Sequence, residues 1–509
     1  MVHSYCSACF RCSQKSPWRS SIVSATTESR PRRFDNNLVV IGAGSAGLVT
    51  AYVAAAARAR VTLIERDRMG GDCLNTGCVP SKALIRCAEV ADTVRHSQAF
   101  GIHADNIRVD FPAVMQRVRR VIEQIEPHDS SERYTGLGVE CVTGDARIRS
   151  PWRVAVGDRE ITTRSIVIAT GGQPAVPPIP GLDSCNYLTS DTIWNLRELP
   201  AKLLILGGGP IGCELAQAFG RLGSDVTLVE MAPRILLRED PEAGSVLTGQ
   251  LTAEGVRILT GYKAVRFECS DGHRAAICEG PDGETTIVFD QVLVATGRRA
   301  TTDGLGLDKV GIELNPDGTI RVDDYLRTSC PNIYACGDVT GPYQLTHAAG
   351  HQGWYCAMNA LFAGLKQFRV SYSAMPWAVF TDPELARVGL TEPEAVERGL
   401  TIDTTRYDMG DLDRAIAEGR TTGFVKIVTR RGSDQVLGAT IVGPDAGELI
   451  TEFVTAMRHG LGLRKLLGTI HAYPTLSDAV RAAAGDWQKQ HMPGFLLTLS
   501  KHFHRWRRH

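Results

Sequence analysis

Cys73 and Cys78 lie five positions apart in GGDCLNTGCVPSKALI, residues 70–85. Two thiols this near each other can cycle between dithiol and disulfide. Pro80 pre-sets a helical φ, which puts Cys78 at the start of a helix, where the helix dipole favours the thiolate. In a regular helix, Cα atoms five residues apart stand roughly 8.6 Å from each other, whereas a disulfide needs less than about 7 Å. A bond between them therefore requires the helix to break between the two cysteines, and Gly77 makes that break easier. On spacing alone, a redox pair and two unrelated buried cysteines both stay open.

The elements that must hold this pair are announced by a repeat. Residues 38–47 read LVVIGAGSAG and residues 203–212 read LLILGGGPIG, each an apolar strand running into G-x-G-x-x-G. An Ala-rich helical stretch follows each, then a second apolar strand ending in an acid. Glu65 and Glu230 each fall 18 residues past the third glycine of their unit. Gly42 and Gly207 make the tight turn, Gly44 and Gly209 let backbone approach a pyrophosphate, and Gly47 and Gly212 let helix pack on strand. The acid accepts a hydrogen bond from a ribose hydroxyl, and the helix N-terminus faces the phosphates. Two dinucleotide-binding units in one chain are thus expected. Three further strand ends, SIVIATGG (165–172, with Thr170 and Gly171), QVLVATGR (291–298, with Gly297) and NIYACGDV (332–339, with Asp338), stop in small residues and glycine, where backbone can lie against a ligand.

The chain has 509 residues, enough for two to four domains. Lys+Arg and Asp+Glu are both 56, so nothing favours nucleic acid as a partner. No apolar run is long enough to span a bilayer, and the reading is a cytoplasmic protein without integral membrane association. Most of the 14 cysteines are read as reduced, buried small hydrophobes. Cys6, Cys9 and Cys12 lack partners to complete a zinc site, so no metal site is expected. Residues 82–98 and 111–126 have helical periodicity. From about residue 371 the pattern changes to β-like runs (424–428, 436–442) and a helix (447–457), an α+β arrangement.

The cysteine string resembles the redox-active motif of the class I pyridine nucleotide–disulfide oxidoreductases, and the likeness extends from about Phe34 to about Gly485. Ser81 and Lys82 make it more similar to the dihydrolipoamide dehydrogenase and mercuric reductase branches than to glutathione reductase. The resemblance implies that Gly42, Gly44, Ser45, Gly47 and Glu65 hold the ADP half of FAD, with Thr170, Gly171 and Asp338 also on the flavin nucleotide. Gly207, Gly209, Gly212, Glu230 and Gly297 would serve the nicotinamide nucleotide. It implies a Lys82 near the flavin with Glu214 as its partner, Cys78 as the thiolate against the flavin, and Cys73 as the thiol that meets the substrate. The implied fold is α/β, with two Rossmann-like dinucleotide-binding domains and a C-terminal α+β dimerisation domain. The expected segments are a disordered extension (1–34), FAD-binding parts (35–183 and 301–370), an NAD(P)-binding domain (184–300), the dimerisation domain (371–490) and a basic tail (491–509), assembled as a homodimer.

One motif departs from the family. Disulfide-reducing members place a His before Pro in a C-terminal motif, as a base for the partner subunit, with a Glu to orient it. Residues 471–478 read HAYPTLSD, so Tyr473 stands at the base position and Asp478 at that of the acid. A phenol titrates near 10, which makes it a poor base at neutral pH, and weak dihydrolipoamide dehydrogenase activity is expected. Mercuric reductases carry a tyrosine there, but also a C-terminal cysteine pair, whereas the last cysteine here is Cys356. Glu230 would repel a 2′-phosphate, so NADH is expected over NADPH, although the nearby Arg234 could soften that preference. The expected substrate is a disulfide, a dithiol or a thiophilic metal ion. Direct transfer from flavin to quinone or oxygen, and a low-turnover flavin redox sensor, are the rival readings. The aromatic and basic tail is expected as a short helix packed on the protein, against the alternative of an anionic membrane surface.

Overall fold

A computed structural model describes residues 30–508 apart from residue 271. Cys6, Cys9 and Cys12, and most of the expected N-terminal extension, lie outside the described residues. The two repeats build two sheets by the same rule. In the first, Asn36–Ile41 lies between Val61–Glu65 and Arg159–Ile168, all parallel, and Val139–Thr143 extends the edge beyond Val61–Glu65. In the second, Lys202–Leu206 lies between Asp225–Glu230 and Gln291–Val294, again parallel, with Arg257–Thr260 and Leu188–Thr189 outside them. Leu38, Val39, Val40 and Leu203, Leu204, Ile205 are fully or almost fully buried, the pattern of strands covered on both faces.

The central segment returns to the first sheet. Ile333–Ala335 pairs in parallel with the end of Arg159–Ile168. The helix Thr346–Phe362 then packs on the helix Ser45–Ala56. Their closest approach is at Gly353, where an added Cβ would stand 2.5 Å from the Ala46 carbonyl oxygen. The Thr50 hydroxyl bonds the Gly353 carbonyl at 3.1 Å across the same contact. A hairpin-linked antiparallel sheet, Lys263–Ser270, His273–Gly280 and Gly283–Val288, flanks the second unit.

The last part of the chain is a five-stranded antiparallel sheet, ordered Pro376–Val379, Glu384–Gly389, Val436–Gly443, Phe424–Arg430, Ile402–Asp408. Ala446–His459 and Asp478–Gln490 pack against it around Phe453 and Trp487. The helical runs read from the sequence occur as Cys78–Arg95 and Phe111–Ile125. Among the described residues no helix is long and apolar enough to cross a membrane. Two findings were not foreseen. Cys185 and Cys269 form a disulfide, with Cα atoms 5.4 Å apart, joining the turn Leu182–Cys185 to the strand Lys263–Ser270. The tail does form a helix, Gly494–Trp506, but none of its residues is buried, so it does not pack on the protein as expected.

The helix contact at Gly353 gives a test. Gly353→Ala is expected to lower the melting temperature, because a rigid backbone carbonyl meets the new methyl and overpacking costs roughly 1–3 kcal/mol. Gly249→Ala, at an exposed position of the helix Pro241–Ala253 with nothing within 4 Å of its Cβ, is expected to raise it, by about 0.5–1 kcal/mol. Equal melting shifts for both would remove the close-approach argument.

Candidate active site

The two cysteines sit where the helix breaks. Gly71–Asn75 forms one short helix and Cys78–Arg95 the next, with Thr76 and Gly77 between them outside helical geometry. A Cβ on Gly77 would stand 2.9 Å from the Asp72 carbonyl oxygen, so glycine is what lets the chain fold back here. Cys73 and Cys78 are both thiols, hydrogen-bonded to each other. The Thr346 hydroxyl lies 3.2 Å from Cys78 Sγ and also bonds Cys73. The hydrogen bond from Cys73, followed by that from Thr346 and the charge of Lys82, lowers the Cys78 pKa to about 6 against the opposing effect of burial. Cys73 is pushed far above the ordinary thiol range by the same sulfur contact and by burial. The pair thus divides into one thiolate and one thiol that holds the proton.

Cys73 lines a cavity of about 430 Å³ together with Gly42, Gly44, Ser45, Glu65, Thr170, Gly171, Asp338 and Thr346. The helix Ser45–Ala56 opens onto it with no side chain capping its first amides, and Gly44, at its start, leaves room for a phosphate. Gly47 does not line the wall; its Cβ would collide with the Gly42 carbonyl oxygen at 1.8 Å, which is the close packing expected of the third glycine. The second unit repeats this. Gly209 has nothing within 4 Å of a Cβ, Gly212 is pressed on the Gly207 carbonyl oxygen at 1.9 Å, and the helix Pro210–Leu222 has no side-chain cap.

The two acids are held identically. Glu65 accepts hydrogen bonds from the backbone amides of Ala43 (2.7 Å) and Asp67 (2.9 Å). Glu230 accepts them from Gly208 (2.6 Å) and Ala232 (2.7 Å). Each carboxylate is fixed at the end of its strand with lone pairs left over for ribose hydroxyls. Both places therefore fit a dinucleotide. Arg234, whose effect on a 2′-phosphate was in question, spends its guanidinium on the backbone carbonyls of Leu236, Leu237 and Glu239 at 2.6–2.9 Å.

Lys82 and Glu214 meet at 2.8 Å, with the Glu214 carboxylate buried. Glu214 also accepts the Phe380 amide at 2.9 Å, and the Lys82 ammonium lies 4.3 Å from the centre of the Phe380 ring. Asp338 is reached by Arg298, at 3.3 Å, and the same guanidinium pairs with Asp72, next to Cys73, and bonds the Gly172 carbonyl at 2.8 Å. Burial raises the Asp338 pKa, and Arg298 opposes that rise. Gly297, expected at a nucleotide, lies between strands with φ +137° and its carbonyl on Ala175. Arg298, one residue on, carries the interactions. Phe380, Thr346 and Asp72 were not singled out from the sequence; Arg298 ends the ATGR string, and its charge at a strand end was the one available signal.

The C-terminal motif is arranged differently from the expectation. The Tyr473 hydroxyl donates to Asp413 at 2.7 Å, and that bond raises the phenol's pKa above its usual range. Asp478 is engaged instead by Arg481, one turn along its own helix. His471 points away from Tyr473, with its ring nitrogens on the Thr469 carbonyl and the Glu452 carboxylate. Within one chain, Tyr473 makes no hydrogen bond to Cys73 or Cys78.

Residues 36–353 match the model of the pyridine nucleotide-disulphide oxidoreductases, and residues 375–484 match the dimerisation domain of that family. A dihydrolipoyl dehydrogenase of Chlamydia muridarum is 39% identical over 86% of this chain and 94% of its own length. A mercuric reductase of Streptomyces lividans is 38% identical over 88% of this chain and 95% of its own. Among solved structures, the Cu(II) complex of the HOCl-induced flavoprotein disulfide reductase RclA from Escherichia coli superposes with a TM-score of 0.79 at 30% identity, covering 88% of this chain and 99% of that one. The repeated nucleotide units, the dithiol at the broken helix and the antiparallel C-terminal sheet thus have one common source: the chain belongs to the pyridine nucleotide–disulphide oxidoreductase family of enzymes, which use FAD and a nicotinamide nucleotide.

Proposed function

We propose that the chain is an NADH-dependent reductase, acting as a homodimer, that delivers two electrons through Cys73 and Cys78 to a thiophilic metal ion or a disulfide. The carrying observation is the polarised pair itself, a thiolate at Cys78 and a protonated Cys73 on the wall of the dinucleotide cavity. Bound FAD supplies the chemistry that takes hydride from nicotinamide and passes the electron pair to sulfur. The Lys82 side chain, paired with Glu214, favours the thiolate form of Cys78. Cys73 attacks a disulfide with its proton passing to the departing thiolate, or ligates a metal ion with its proton passing to solvent.

The choice of acceptor rests on Tyr473. Read in the family's arrangement, the partner subunit presents this residue to Cys73. A phenol whose proton is engaged by Asp413, and whose pKa is raised by that bond, is a weak ligand through its oxygen and not a base at neutral pH. Oxidation of a dithiol such as dihydrolipoamide needs a base at that point, whereas reduction of a disulfide takes up a proton and reduction of a thiolate-bound metal ion leaves free thiolates and needs no base. The likeness to a mercuric reductase and to a protein solved with Cu(II) agrees with the metal-ion arm of this reading.

NADH is the proposed donor because Glu230 occupies the ribose end and Arg234 is committed elsewhere. A kcat/KM at least about tenfold higher with NADH than with NADPH is expected, about 1.4 kcal/mol of discrimination. Equal constants would count against this assignment.

Anaerobic addition of one equivalent of NADH to the FAD-loaded protein is expected to raise a long-wavelength thiolate band. Cys78→Ser should abolish it, and Cys73→Ser should show it before any NADH is added. Because the Cys78 pKa is lowered to about 6, the thiolate is present above that pH, and the band should fade as pH drops through about 6. Flavin bleaching without the band would take the dithiol off the path and favour direct transfer to a quinone or oxygen.

The last test concerns the phenol. Turnover with dihydrolipoamide and NAD⁺ should be weak, and Tyr473→His should raise it by tenfold or more, within the ~10²–10⁴ contribution of a placed base. Asp413→Asn should slow metal-ion or disulfide reduction. No change in either variant would leave Tyr473 without a role in proton handling.

A further inference from the structure

The helix Gly494–Trp506 lies beyond the segment that matches the family's dimerisation domain, which ends at residue 484. All of its residues are exposed, including Phe495, Leu496, Leu499, Phe503 and Trp506. At 3.6 residues per turn these five fall within an arc of roughly 100°, with Lys501, Arg505 and Arg508 on the opposite side. Leu497 is the one large apolar side chain outside the arc. From Trp487 to the last residue the sequence holds five Lys or Arg and no Asp or Glu. Since the whole chain is neutral, with 56 of each sign, the remainder carries 51 − 56 = −5.

We propose that this helix is an interfacial anchor that lies in the plane of an anionic lipid surface. A narrow apolar face rich in Phe, Leu and Trp, backed by Lys and Arg, is what such a surface binds: rings and leucines enter the acyl boundary and the cations stay among phosphate headgroups. An isolated helix of this length is marginal in water, so it needs a surface to complete it. Among the described residues of one chain none covers it, as no residue along the helix is buried. A second copy of the helix would cover the apolar arc and leave the cations facing water, whereas an anionic lipid surface engages both. The remainder of the chain, net negative, gains nothing from anionic lipid by its net charge.

The test is flotation of the FAD-loaded full chain with two kinds of vesicle, phosphatidylcholine alone and equal parts phosphatidylcholine and phosphatidylglycerol. The full chain is expected to float with the anionic vesicles only, and to be released by salt. A chain ending at Gln490 is expected to stay at the bottom while keeping its NADH-dependent flavin reduction. A full-length double variant, Leu499→Ser with Phe503→Ser, should bind at least tenfold more weakly with its charge unchanged. Equal binding to neutral vesicles would overturn the proposal. So would failure of the full chain to float, or a truncated chain that loses its dimer and yet floats as before.

Discussion

The ion pair between Lys82 and Glu214 is the point at which three parts of the molecule meet. Lys82 comes from the helix that begins at Cys78, Glu214 from the helix behind the second glycine turn, and the Phe380 amide and ring from the start of the C-terminal sheet. A buried carboxylate is tolerated only when it is paired and hydrogen-bonded. Glu214 meets that condition solely if all three parts are in register, since one oxygen takes the ammonium and the other the Phe380 amide. Desolvation thus turns a chemical requirement, a cation beside the reactive sulfur, into a geometric one. Arg298 acts in the same way on the other side of the cavity, where one guanidinium holds Asp338, Asp72 and the Gly172 carbonyl.

Much of this was legible in the sequence because backbone constraints leave marks in residue type. The glycines at 42, 47, 207 and 212 are there since a Cβ would strike a carbonyl oxygen, and no other residue meets that condition. The pairing of Lys82 with Glu214 was open to inference through the family likeness, and the break at Gly77 through the geometry of a five-residue spacing. What was hidden depends on distance in space between residues far apart in the chain. Asp413 lies 60 residues from Tyr473, and nothing in either segment points to the other. Asp478 was assigned by position in a motif, but Arg481, one turn along, competes for it at closer range. The tail's amphipathic pattern was visible; whether the body covers it is a property of the body's surface.

The two ends of the electron path are differently built. On the dinucleotide side, geometry is supplied by backbone: uncapped helix amides, glycine turns, and carboxylates fixed by two amides each. On the acceptor side it is supplied by side chains, with Tyr473 on Asp413 and the sulfurs on Thr346. Backbone arrangements tolerate substitution around them, and side-chain pairs change by single replacements.

The disulfide between Cys185 and Cys269 closes a ring. The 84-residue separation takes in Gly207, Gly209, Gly212 and Glu230, the whole of the second nucleotide fingerprint. Its two ends leave the ring at one spot, so tension arriving along the chain acts on a single stapled point and not on the strands Lys202–Leu206 and Asp225–Glu230 within the ring, while Gln291–Val294 lies outside it. The glycine turn and its acid thereby sit, topologically, in a bead threaded into the chain, whose two ends are held together.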